Sequence, residues 1–152
     1  MSEETVEETA PIEASPVGIA GWLLLPALGL ILGLIMNAVY ALNDFVMLSS
    51  GGLAGYSGLD LIEIVVELGV FGYLIYAALR FFTKRSDAPS IMIVLLIMGF
   101  AIPALLLMIE TIVGVQDYAK VTAKQLPRGF ISAAVWVPYF RTSKRVRATF
   151  VN

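Results

Sequence analysis

LDLIEIVVELGVFGYLIYAALRFF, residues 59–82, is the stretch whose reading decides the fold. It is long and apolar enough to cross a bilayer, whose hydrocarbon core takes about 20 helical residues. It also carries three acids. At ~100° per residue, Asp60, Glu63 and Glu67 fall within roughly 60° of one helix face. Glu67 lies ~10 Å along the axis from Asp60, well inside the apolar stretch. A carboxylate at that depth costs several kcal/mol unless it is protonated, paired or open to water.

The rest of the 152-residue chain points the same way. Apolar residues make up 59% of it and charged residues only 14%, with a mean hydropathy of +0.86. Soluble domains carry about twice that charge. The chain has no Cys and no His. That excludes disulfides, thiol redox chemistry, Cys/His metal sites and any triad built on an imidazole base. A hard cation held by carboxylates stays open. No nucleophile–base pair and no cofactor fingerprint is present, so neither an enzyme nor a bound cofactor is expected. No basic stripe interleaved with aromatics appears, which argues against nucleic-acid binding.

Working outward from 59–82, the chain divides into four expected spans between two polar ends. Residues 1–16 (MSEETVEETAPIEASP) are acidic and free of aromatics, and read as a disordered tail. No positive region precedes the first apolar run, so this is not a signal peptide. Residues 17–141 hold the membrane domain, with spans at about 18–42, 59–82, 89–112 and 128–140. In the first, Pro26 predicts a kink and Gly29 with Gly33 a close helix approach. Asn37 is expected to face another helix. Residues 43–58 read as a glycine- and serine-rich loop, with Tyr56 an interfacial anchor. Gly69 and Gly72 give the second span a smooth patch for a neighbour. Gly99 and Pro103 interrupt the third. Residues 113–127 are amphipathic and suit the interface, and the fourth span is short. Residues 142–152 form a basic tail.

Orientation follows from the Lys and Arg residues beside the spans. Arg80, Lys84, Arg85, Arg141, Lys144, Arg145 and Arg147 fall on one side, against Lys120, Lys124 and Arg128 on the other. Seven against three places both termini in the cytoplasm. With that topology, Asp44, Asp60, Glu63, Glu67 and Glu110 share the outer half of one small bundle with Lys124 and Arg128. Two readings stay open. In one, Lys124 and Arg128 neutralise Glu110, Glu63 or Asp60 in an interior network. In the other, the acids outnumber their partners and Glu67 marks a proton or cation site.

The C-terminal string Val135-Trp136-Val137-Pro138-Tyr139-Phe140, followed by Ser143-Lys144-Arg145-Val146 and Thr149-Phe150, resembles the ending of a bacterial family known as domain of unknown function 2569. Gly18-Ile19-Ala20-Gly21-Trp22-Leu23 is similar to the G-x-G-G-W-L run that opens the family's first span, with Ala20 where glycine is common. Glu67 and Arg128 also match positions of that pattern; Asp60 and Glu63 do not. The resemblance covers residues 18–151. It implies a four-helix inner-membrane protein with no assigned chemistry.

The expectation is therefore an all-α, four-span bundle in a bacterial cytoplasmic membrane, N-in and C-in. Its leading role is that of a small structural or accessory protein, packing with itself or a larger complex. The alternative is a proton- or cation-coupled carrier using Glu67. The partners expected are the bilayer and anionic headgroups at Arg141, Lys144, Arg145 and Arg147.

Overall fold

Gly52 and Gly114, both with positive φ, end two of the long helices. The computed structural model describes residues 18–52 and 55–151, and among these all regular structure is helical. The acidic tail expected over residues 1–16 lies outside the described residues. A single 3-10 turn at Gly21–Leu23 leads into α1 (Leu24–Gly51), followed by α2 (Gly58–Phe82), α3 (Ala88–Val113), α4 (Gln116–Thr142) and the short α5 (Lys144–Thr149). The helices α1, α2 and α3 are long and apolar enough to cross a membrane; α4 is as long but less apolar.

Four sequence expectations change. Residues 43–51 continue α1 rather than opening a loop. The hydroxyls of Ser49 and Ser50 donate back to the Val46 and Met47 carbonyls at 2.8 and 3.1 Å, so both serines fit a helix. Gly52, at φ +64°, then ends it. Pro26 makes no interior kink, because it sits in the first turn, where its missing N–H has no partner to lose. Residues 116–127 of the interfacial segment and the short span 128–140 are one helix, α4, continuous through Pro127. Part of the basic tail is helical: Ser143 breaks α4, accepts the Val146 N–H at 3.4 Å and starts α5, and Val146, Thr149 and Phe150 are buried.

The core sits at one end of the bundle, where α1 and α3 begin and α2 and α4 finish. Leu23, Ala27 and Leu30 meet Leu74, Ala77, Phe81, Met92 and Phe140 there. The closing element is α5, with the Phe150 ring 5.1 Å from that of Phe81. Gly21 has φ +58°, and an added Cβ would stand 3.0 Å from the Arg145 guanidinium. The opening and closing motifs of the chain therefore interlock at this end.

The tightest helix contact joins α3 to α4. Gly114, at φ +86°, ends α3 and leaves two residues before α4, so the helices must run antiparallel as neighbours. Pro103 has no N–H to offer the carbonyl of Gly99, four residues earlier. That freed carbonyl is where Gly129 of α4 comes closest: a Cβ on Gly129 would lie 2.5 Å from the Gly99 oxygen. Phe100 and Phe130 meet edge to face beside it at 5.7 Å. By contrast, Gly29, Gly69 and Gly72 have open space where a Cβ would go, and Gly33 makes only an ordinary contact with Leu74. Asn37 is satisfied within its own helix, donating to the Gly33 carbonyl at 2.9 Å.

Gly129→Ala is expected to force α3 and α4 apart and cost about 1–3 kcal/mol, read as a lowered thermal midpoint in detergent, whereas Gly29→Ala leaves the midpoint unchanged or higher. Phe150→Ala empties the closing side of the core and is expected to cost about 3 kcal/mol, checked by the same melt.

Candidate functional site

The stripe of acids on α2 starts from a helix cap. Ser57 precedes α2 and its hydroxyl accepts the Asp60 N–H at 3.2 Å, while the Asp60 carboxylate accepts the Ser57 N–H at 2.7 Å. This reciprocal box satisfies two orphan donors and sets a negative charge at the positive end of the helix dipole. Asp60 therefore has a structural duty at the helix start. One turn on, Glu63 lies on the same face, and one more turn brings Glu67, as the spacing predicts.

The three acids line one groove of about 460 Å³, together with Asp44 from α1 and Tyr118 from α4. Asp44 arrives because the half-buried stripe of α1 runs through Leu34, Asn37, Ala41 and Asp44 at helical spacing. Its carboxyl and that of Glu67 line the same groove. Glu63 stands between Asp60 and Glu67 on the same helix face. Its Oε1 is buried without a hydrogen-bond partner.

Glu110 is apart from the groove, sealed into the α3–α4 seam at 1% exposure. Its Oε1 accepts the Thr122 hydroxyl at 2.8 Å, and its Oε2 has no partner. Thr122 and Tyr118 were not singled out from the sequence. For Thr122 a signal existed: Ala119, Thr122, Leu126, Gly129 and Ala133 form a mostly small-residue stripe at helical spacing, the face α4 turns to α3. Tyr118 reaches the groove only through the path of α4, and no local pattern marks it.

Lys124 and Arg128 do not join the acids. Both are exposed, and they lie about 200° and 240° around α4 from Thr122, on the side away from α3. The expected neutralising network is thus absent among the described residues, whose ion pairs are Arg80–Asp87 at 3.4 Å and Lys120–Asp117 at 3.1 Å. The shared axial level suggested proximity, but the helix face decides contact. No three acids among the described residues converge closely enough to ligate one metal ion. The groove gathers four carboxyl groups and two phenols, Tyr56 and Tyr118.

The motif residues other than Glu67 and Arg128 gather at the opposite end. Gly21 cradles Arg145, Ser143 caps α5, and Phe140, Val146, Thr149 and Phe150 are buried. Trp136 stacks edge-on against Tyr139 at 5.5 Å, and Tyr139 against Phe140 at 5.9 Å. Pro138 lies within α4, where its carbonyl accepts the Thr142 hydroxyl at 2.8 Å. Trp22 stays exposed, Lys144 points outward and Gly18 packs against nothing within 4 Å.

The chain is similar to a protein of Escherichia coli (strain K12) called inner membrane protein YdgK, with 27% identity over 146 residues, which is 91% of this chain and 97% of that protein. No solved structure gives a significant match. The model of the family described as "Protein of unknown function (DUF2569)" matches residues 16–151, and the chain belongs to that family.

Proposed function

We propose that this protein is a four-span component of a bacterial cytoplasmic membrane, both termini inside, acting as a small structural or accessory protein. The observation that carries this is how little of its apolar surface it covers by itself. Only 22%, 17% and 11% of the most apolar stretches of α1, α2 and α3 are buried. Leu28, Ile31, Leu32 and Ile35 of α1 are about half exposed, a face suited to lipid, to another copy or to a larger membrane complex. The inner-membrane name of the Escherichia coli relative supports the location.

In this reading α4 is the fourth span, carried by its partnership with α3 rather than by its own hydropathy. The positive-inside count supports the orientation, and the outward-facing Arg141, Lys144, Arg145 and Arg147 suit anionic headgroups. No catalytic chemistry or cofactor is assigned.

A second reading, a proton- or cation-coupled carrier, is favoured by one specific observation: Asp44, Asp60, Glu63 and Glu67 line one groove with no basic residue among its described lining.

Because the chain has no native Cys, single-cysteine labelling reports orientation cleanly. Gln116→Cys is expected to react with a membrane-impermeant maleimide on intact cells, and Ser86→Cys only after permeabilisation; the reverse pattern rejects the N-in, C-in topology. In reconstituted vesicles, Glu67→Gln is expected to leave pH-driven ion flux unchanged if the protein is accessory. A flux seen with the native chain and abolished in that variant replaces the accessory reading with the carrier.

A further inference from the structure

At the other end of α2 from the carboxylates, α1 and α2 enclose a second groove of about 270 Å³. Leu34, Ile75, Ala78, Leu79, Phe82 and Thr83 line it. Thr83 adds no polarity there, because its hydroxyl turns back to donate to the Leu79 carbonyl at 2.6 Å. The groove is apolar throughout and ends at Thr83, where the character of the chain changes abruptly.

Lys84 and Arg85 follow at once, with Lys84 at φ +54° turning the chain out of the helix. The nearby acid, Asp87, is occupied by Arg80 at 3.4 Å. Lys84 and Arg85 therefore have no ion-pair partner among the described residues. The Phe81–Phe150 contact brings α5 beside this turn, adding the exposed Lys144, Arg145 and Arg147 to the same end. An apolar slot whose last lining residue, Thr83, leads directly into two basic residues without ion-pair partners complements a molecule with a hydrocarbon tail and an anionic head.

We propose that the α1–α2 groove is a binding site for an anionic phospholipid of the inner leaflet, one acyl chain lying against Leu34, Ile75 and Leu79 and the headgroup phosphate held by Lys84 and Arg85. This rests on the reading that the helices span the membrane with the 80s turn in the cytoplasm. The site is built from two helices and a turn, so it differs from a loose basic tail attracted to charge alone. The fold supplies the apolar half; the turn supplies the selection by charge.

The test uses the full chain in detergent, with dioleoyl phosphatidylglycerol, dioleoyl phosphatidylcholine and inorganic phosphate as separate additions. Native mass spectrometry reads the lipid retained and a melt reads the stabilisation. A basic residue near the surface is worth about 1 kcal/mol toward an anionic headgroup, or about fivefold. Phosphatidylglycerol is therefore expected to be retained and stabilising over phosphatidylcholine by about twenty-five-fold. Lys84→Gln with Arg85→Gln is expected to remove that preference, and Leu79→Trp to weaken retention of both lipids. Equal retention of the two lipids, stabilisation by phosphate alone, a preference that survives Lys84→Gln with Arg85→Gln, or retention unchanged by Leu79→Trp would overturn the proposal. Labelling at Ser86→Cys separates a failed site from a failed orientation.

Discussion

Backbone meets backbone where Gly129 of α4 crosses the Gly99 carbonyl of α3, and much of the molecule is set by that contact. A proline in α3 removes the N–H that would have held the Gly99 oxygen inside its own helix. Glycine in α4 removes the side chain that would have kept the helices apart. The two-residue turn at Gly114 and Val115 fixes the direction, and the crossing fixes the register. From that register follow the Phe100–Phe130 contact and the seating of Thr122 under Glu110. A helix too polar to be apolar by composition is held beside one that is strongly so.

The two ends of the bundle are built for different tasks. The end holding both family motifs is closed: α5 folds under it, Phe150 packs on Phe81, and Arg145 rests on a glycine that no other residue replaces without strain. The other end is open, and its acids have duties of their own. Asp60 caps a helix, Glu110 takes a hydroxyl in the seam, and Glu67 and Asp44 line the groove from two helices. Buried carboxyl oxygens left without partners, on Glu63 and Glu110, mark where this end departs from a structure made only for stability. The packed core and the carboxyl-lined groove are thus segregated along the bundle axis.

Much of the fold was legible because it depends on local rules. The long apolar stretches give the helices, and the i, i+3, i+7 spacing of Asp60, Glu63 and Glu67 puts them on one face. The misreadings share one cause. Residues 43–51 and 144–149 read as a loop and a tail by composition, yet both are helical, because serine side chains bond back to their own helix or because a neighbouring element supplies the apolar contact. Asn37 likewise needed no second helix once its own Gly33 carbonyl was within reach.

Composition and periodicity alone determined that this is a membrane-type, all-helical chain with acids on one stripe of its second long helix, since hydropathy and the 3.6-residue repeat act over a few neighbouring residues. Only the tertiary structure decided which charges meet. Lys124 and Arg128 share an axial level with the acids but sit on the far face of α4, while Asp44 arrives from α1 and Thr122 and Tyr118 from α4. Contact between side chains depends on rotation and crossing of helices, and those are fixed by packing between segments that the sequence keeps far apart.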